Sequence, residues 1–171
     1  MRAGKSVGRV PREVALLLSI FDEAYERKAW HGPNLRGALR GVTAREAAWR
    51  PRPGRHNIRE LVLHAAYWKY AVRRMLTGEK RGSFPETGSN WFRRPAPPTE
   101  KAWRSDLALL EREHRRLREA VAALPAAALA RRPPGSKHTM ARLAYGAASH
   151  DLYHTGQIQL LKVLQRKRHA R

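Results

Sequence analysis

Cysteine is absent from the 171-residue chain. Disulfides, thiolate metal sites and a protein-borne sulfur nucleophile are therefore excluded. Apolar runs are short as well, and none approaches the ~20 residues that a membrane-spanning helix needs. The basic opening segment is followed by no long apolar stretch and no small-residue cleavage site. No secretory signal is expected, and a cytoplasmic location is. Acidic residues are scarce: 14 Asp plus Glu stand against 35 Lys plus Arg, for a net charge of +21. Such a balance attracts polyanions. The basic residues, however, are spread over every segment, with only mild concentration at the two ends. No aromatic–basic module or groove-reading motif accompanies them. Charge alone predicts salt-sensitive, sequence-blind attraction, so specific nucleic-acid recognition is not expected. Attraction of small anionic substrates is.

What is present is enough apolar material for one core, 42% of the residues, in a chain of single-domain length. The expected domain is 10–166, between a basic N-terminal tail at 1–9 and a basic C-terminal tail at 167–171. Four long amphipathic helices are predicted. The first, 11–28, opens on Pro11 and belongs to the stripe Val10, Val14, Leu17, Phe21 and Ala24 or Tyr25. A long connection follows, 31–56, with a short helix whose Thr43 and Glu46 have capping-box spacing. The second long helix, 57–77, begins on Asn57 with Glu60 three residues on, and is apolar almost all round, so it is predicted to be central. Residues 78–98 form a Pro- and Gly-rich connection, long enough to need a reason. It is predicted to join helices that are not antiparallel neighbours, or to cover a site. The third helix, 99–124, has a seam of Trp103, Leu107, Leu110, His114, Leu117, Val121 and Leu124 in steps of four and three. The fourth, 137–166, has the seam Leu143, Ala147, His150, His154, Gln157, Leu161 and Leu164. The fold class is all-α, a four-helix bundle with long crossover connections.

The chemistry rests on histidine. His150 and His154 sit at i and i+4 on the core-facing side of one helix, the spacing that offers two nitrogen ligands to one cation. Burying an imidazole without a partner costs about 1–3 kcal/mol, so two in a core require an explanation. His64, in the most apolar helix, supplies a third ring, and a bundle can close three such rings on one ion. His56 is eight residues before His64, roughly 12 Å along the axis, too far to share that ion. His31, His138 and His169 fall in loops or at ends. His114 lies on the third seam and is a lesser candidate. Gly146 and Ala147, one turn before His150, leave volume for a substrate, and Gly156 is expected to admit close approach of another helix. Gln157 is placed to orient a ring nitrogen or a bound water. Tyr67 and Trp68 are candidate pocket walls. Asp151, about 100° around the helix from His150, is a poor ligand but a candidate supporting group. For Glu60, capping is the simpler role.

The stretches 58–64 (Ile-Arg-Glu-Leu-Val-Leu-His) and 150–158 (His-Asp-Leu-Tyr-His-Thr-Gly-Gln-Ile) resemble the DinB/YfiT-like superfamily of metal-dependent proteins. The segment 30–35 and the helix around Trp103 also resemble the family's longer pattern, over about residues 10–165. The resemblance implies a four-helix bundle of unusual crossover topology and a homodimer. It implies a three-His site for a divalent ion, most often zinc or nickel, carried by His64, His150 and His154. It also implies S-transfer with a low-molecular-weight thiol, thiol-dependent isomerisation or amide hydrolysis on a small-molecule substrate. By ligand type alone, three imidazoles suit zinc, nickel, iron and cobalt alike. Three imidazoles leave a coordination position open, the arrangement of catalytic rather than structural sites. Two other readings stay open on the residues: a metal-stabilised helical protein without catalysis, and a basic nucleic-acid-binding module.

Overall fold

The computed structural model describes residues 10–82, 84–94 and 97–169. Among these residues six α-helices form: α1 Arg12–Tyr25, α2 Leu35–Leu39, α3 Ala44–Ala48, α4 Ile58–Thr77, α5 Glu100–Ala122 and α6 Met140–His169. A 3₁₀ turn, Ala126–Ala128, follows α5. The fold is all-α, with no strand among the described residues beyond one isolated bridge, Ala29 to Gly32. No described helix is long and apolar enough to cross a membrane. The N-terminal tail expected at 1–9 lies outside the described residues. So do 170 and 171 of the expected C-terminal tail, whose first residues continue the backbone of α6 instead.

Caps decide where the helices begin. Asn57 Oδ1 accepts from the Glu60 amide at 2.9 Å, and the Glu60 carboxylate accepts from the Asn57 amide in return. Thr43 and Glu46 make the same reciprocal cap on α3, and Thr99 caps α5. Each such cap contributes about 1 kcal/mol. The connection 31–56 holds two short helices where one is predicted. Asn34 caps α2 through the Gly37 amide at 2.8 Å, and burial of Leu35, Ala38 and Leu39 outweighs the ~1 kcal/mol that Gly37 costs.

Each long helix packs on two others: α4 on α5 and α6, and α1 likewise on α5 and α6. Between α4 and α5, Arg59 in the first half of α4 pairs with Asp106 in the first half of α5, whereas Lys69 and Arg73 farther along reach His114 and Glu113. The two helices are therefore parallel. The chain must return the length of α4, 20 residues or about 30 Å, before α5 can start. This return is the reason for the long 78–98 connection. α6 runs the other way along α4: Gln157 and Leu161 border Leu61, whereas Leu143 borders Val72.

The apolar core falls into two clusters. One holds α2, α3, the first halves of α4 and α5, and Ile158 and Leu161 of α6. The other joins α1, the last turns of α4 and α5, and Leu143 to Ala148. Between them lies a buried polar layer that includes Lys69, His114, Asp151 and His154. The buried face of α6 is consequently rotated from its predicted seam. Asp151, Thr155 and Gln165 are inside, while His150 and Gln157 sit at the margin and Leu164 is exposed. Asp151 is drawn inward by Lys69 and Gln165 by the Glu46 carbonyl, attractions that apolar periodicity does not register.

Candidate metal centre

Three imidazoles meet where α4 and α6 cross. His64 Nε2 lies 3.0 Å from His150 Nε2, and His154 Nε2 also lies 3.0 Å from His150 Nε2. One nitrogen from each ring falls within 4.8 Å of the other two, and among the described residues this is the group of His, Asp or Glu side chains so placed. A tetrahedral ion with ligands at about 2.0–2.1 Å asks for nitrogens roughly 3.3–3.4 Å apart. The two separations from His150 Nε2 need to open by only a few tenths of an ångström to suit one.

The far side of the rings shows which nitrogen is bare. His64 Nδ1 lies 2.8 Å from the Asn90 carbonyl, and His154 Nδ1 lies 2.6 Å from Gln157 Oε1. Both partners are acceptors, so both Nδ1 atoms carry hydrogen and both Nε2 atoms present lone pairs inward. This outer support is what metal-ligating histidines ordinarily have. Replacing Gln157 with Leu removes one acceptor while keeping bulk. The affinity for Zn²⁺ is expected to fall about 10–100-fold, read by competition with a chromophoric chelator; an unchanged affinity would show that Gln157 does not orient the ring.

Burial holds the rings neutral. It lowers His64 to about 4 and His150 to about 3, with the neighbouring rings adding to the effect, and it lowers His154 too. Neutral rings are the ligating form. A stability prediction follows for chelator-treated protein. In the unfolded chain these imidazoles take up protons near 6.5, so below that pH the unfolded state binds protons that the folded state refuses. Stability is complete above about 6.5 and falls as the pH drops toward 4. Urea midpoints at pH 7.5, 6.0 and 4.5 should descend in that order, and the His64, His150 double alanine variant should lose the larger part of the slope.

A family model for the DinB superfamily matches residues 29–158, more than half of the chain and inclusive of all three histidines. The chain belongs to the DinB superfamily. No curated protein and no solved structure matches it.

In this DinB protein the remaining candidates divide. Trp68, one turn beyond His64, approaches both His64 and His150 edge-on with ring centroids 6.4 Å away, so it does border the site. Tyr67 does not. Its ring packs on Phe84 and Phe92, because one residue along the helix turns it about 100° toward the returning connection. Asp151 gives its carboxylate to Lys69 rather than to a histidine ring. His114 lies in the same buried layer, stacked on Tyr25 at 3.6 Å with Nδ1 3.3 Å from Lys69 Nζ, and is not in the trio. Gly156 faces solvent, and a Cβ there would meet nothing within 4 Å, so among the described residues no helix approaches it closely.

Two site residues escape a reading of the sequence. Asn90 adopts φ 66°, the sole positive value at a non-glycine residue among those described. In that conformation its carbonyl reaches His64 while its Oδ1 accepts from Trp68 Nε1 at 2.9 Å. Trp91 then lies flat between two imidazoles, 3.9 Å from His64 and 3.5 Å from His56. His56, outside the trio, thus reaches the site through Trp91, and its own Nδ1 is tied to Glu60. The available signal was an Asn-Trp pair inside a Gly- and Pro-rich connection. That connection covers the site, as its length suggested.

Proposed function

We propose that this protein is a divalent-metal-dependent enzyme of the transferase or hydrolase type, acting on a small-molecule electrophile. The observation that carries the reading is the convergence of three inward Nε2 atoms beside a cavity bordered by His150. A structural site would be closed by four protein ligands, whereas three from the chain with an open side suit catalysis. Zinc or nickel is the ion proposed. When bound, it would supply Lewis-acid activation of a thiol or water nucleophile at neutral pH. With no cysteine in the chain, a thiol nucleophile must come from a low-molecular-weight cofactor. The chain's own part is to hold neutral rings by burial, to fix two of them through Asn90 and Gln157, and to wall one side with Trp68 and Trp91. A homodimer is the proposed working form.

The test is elemental analysis of the purified protein. It is followed, with the metal found loaded, by assays of transfer from a panel of small thiols to an activated aryl halide and of amide hydrolysis. About one ion per chain together with metal-dependent turnover supports the reading. Absence of a stoichiometric ion overturns it, and a bound ion with neither activity would leave a non-catalytic, metal-stabilised protein.

A further inference from the structure

Beside the histidine trio, between Trp68 and Val72 of α4 and the first three turns of α6, lies a cavity of about 350 Å³. Its volume is at the lower end of those that hold organic ligands. Trp68 and Tyr145 line it with more than a third of their surface exposed, and Val72, Leu143 and Ala147 add aliphatic walls. Gly146 lies among them. A glycine inside a helix costs about 0.5–1 kcal/mol relative to alanine, yet a Cβ at 146 would meet nothing within 4 Å. Packing does not demand the glycine; its effect is open space next to His150. The cavity is also cationic on one side. Arg142 lines it, the segment 137–150 has no acidic residue, and no carboxylate among the described residues pairs with the Arg142 guanidinium. The nearest acid in sequence, Asp151, is turned away to Lys69.

We infer that this cavity binds a flat, apolar carboxylic acid of one or two rings, with its carboxylate on Arg142 and its body against Trp68 and Tyr145. Aromatic faces favour a planar apolar body. A guanidinium without a partner matches a carboxylate through two parallel hydrogen bonds. The substrate class so named deepens the enzymatic reading and rests on it only for the role of the ion at His150. Recognition itself belongs to the cavity.

The experiment uses 2-naphthoate and its neutral counterpart 2-naphthalenemethanol as probes. Calorimetric titration is run on the protein as purified and after chelation. The acid should bind more tightly than the alcohol in both preparations. Arg142→Gln should weaken the acid about 10- to 100-fold, the range for a hydrogen bond to a charged group, and leave the alcohol unchanged. Gly146→Leu should weaken both probes at least tenfold while the melting temperature holds or rises, since leucine fills the cavity and favours the helix. Equal affinity for acid and alcohol, or a Gly146→Leu variant that binds as wild type does, overturns the inference. Tight binding to protein that proves to hold no metal would sustain the cavity and remove the proposed enzyme, so the two failures are separable.

Discussion

Replacing His150 with alanine is expected to weaken Zn²⁺ binding by at least about 100-fold with the helical circular dichroism intact. Supporting hydrogen bonds to metal ligands contribute 10–100-fold each, and the loss of a ligand must exceed the loss of its support. His150 is the informative choice because its Nε2 lies 3.0 Å from both of the others. Removing His64 would also leave the Asn90 carbonyl without its donor, mixing two effects. The His150 ring is at the margin of the core rather than inside it, so its truncation leaves a gap that water can enter and no orphaned buried group. Competition with a chromophoric chelator, paired with elemental analysis of the dialysed variant, gives the answer. An affinity within about threefold of wild type would mean that the three rings do not share an ion.

The largest stability change should come from the layer beneath the site. Lys69 and Asp151 are each 1% exposed and paired to one another. Their neighbours are His114, Tyr25 and the ends of two apolar clusters. Lys69→Met leaves the Asp151 carboxylate buried without a counter-charge, a loss of about 3–5 kcal/mol from a domain whose total stability is on the order of 5–15 kcal/mol. At roughly 2–4 °C per kcal/mol, the melting temperature should fall by about 6–20 °C. The double variant Lys69→Met, Asp151→Leu should recover most of it, because apolar replacement of a whole buried pair is close to neutral. Urea midpoints for the two single variants and the double close the cycle. Additive losses would show that the pair is not coupled. The same cycle bears on function, since Asp151 immediately follows His150 and a displaced carboxylate would shift that ring.

The sequence was most readable where one local rule acts alone. Asn57 with Glu60 and Thr43 with Glu46 announced their helix starts by spacing, and both reciprocal caps form. The stripe on α1 and the seam on α5 were legible as three- and four-residue steps. α2 was not, because Gly37 hides a five-residue helix whose stability comes from its cap and its buried leucines. On α6 Leu143, Ala147, His154 and Leu161 of the expected seam are buried, but His150 and Gln157 sit at the margin and Leu164 is exposed. Ala144, Ala147 and Ala148 are apolar enough to suit either register, and the inward residues that settle it, Asp151 and Gln165, are polar. Asp151 therefore looked like a support for the histidines when its partner was a lysine on another helix, 82 residues away.

By itself the sequence determined an all-α chain, the helix starts, and two histidines one turn apart on a single helix face, since each follows from periodicity or from contacts within four residues. Only the tertiary structure decided that α4 and α5 run parallel. The same structure carried the returning connection back over the crossing with α6, set Asn90 and Trp91 against His64, and turned Tyr67, Asp151 and His114 elsewhere. Those outcomes depend on pairings between residues tens of positions apart, whose hydrogen bonds and burial come into being only once the helices are packed.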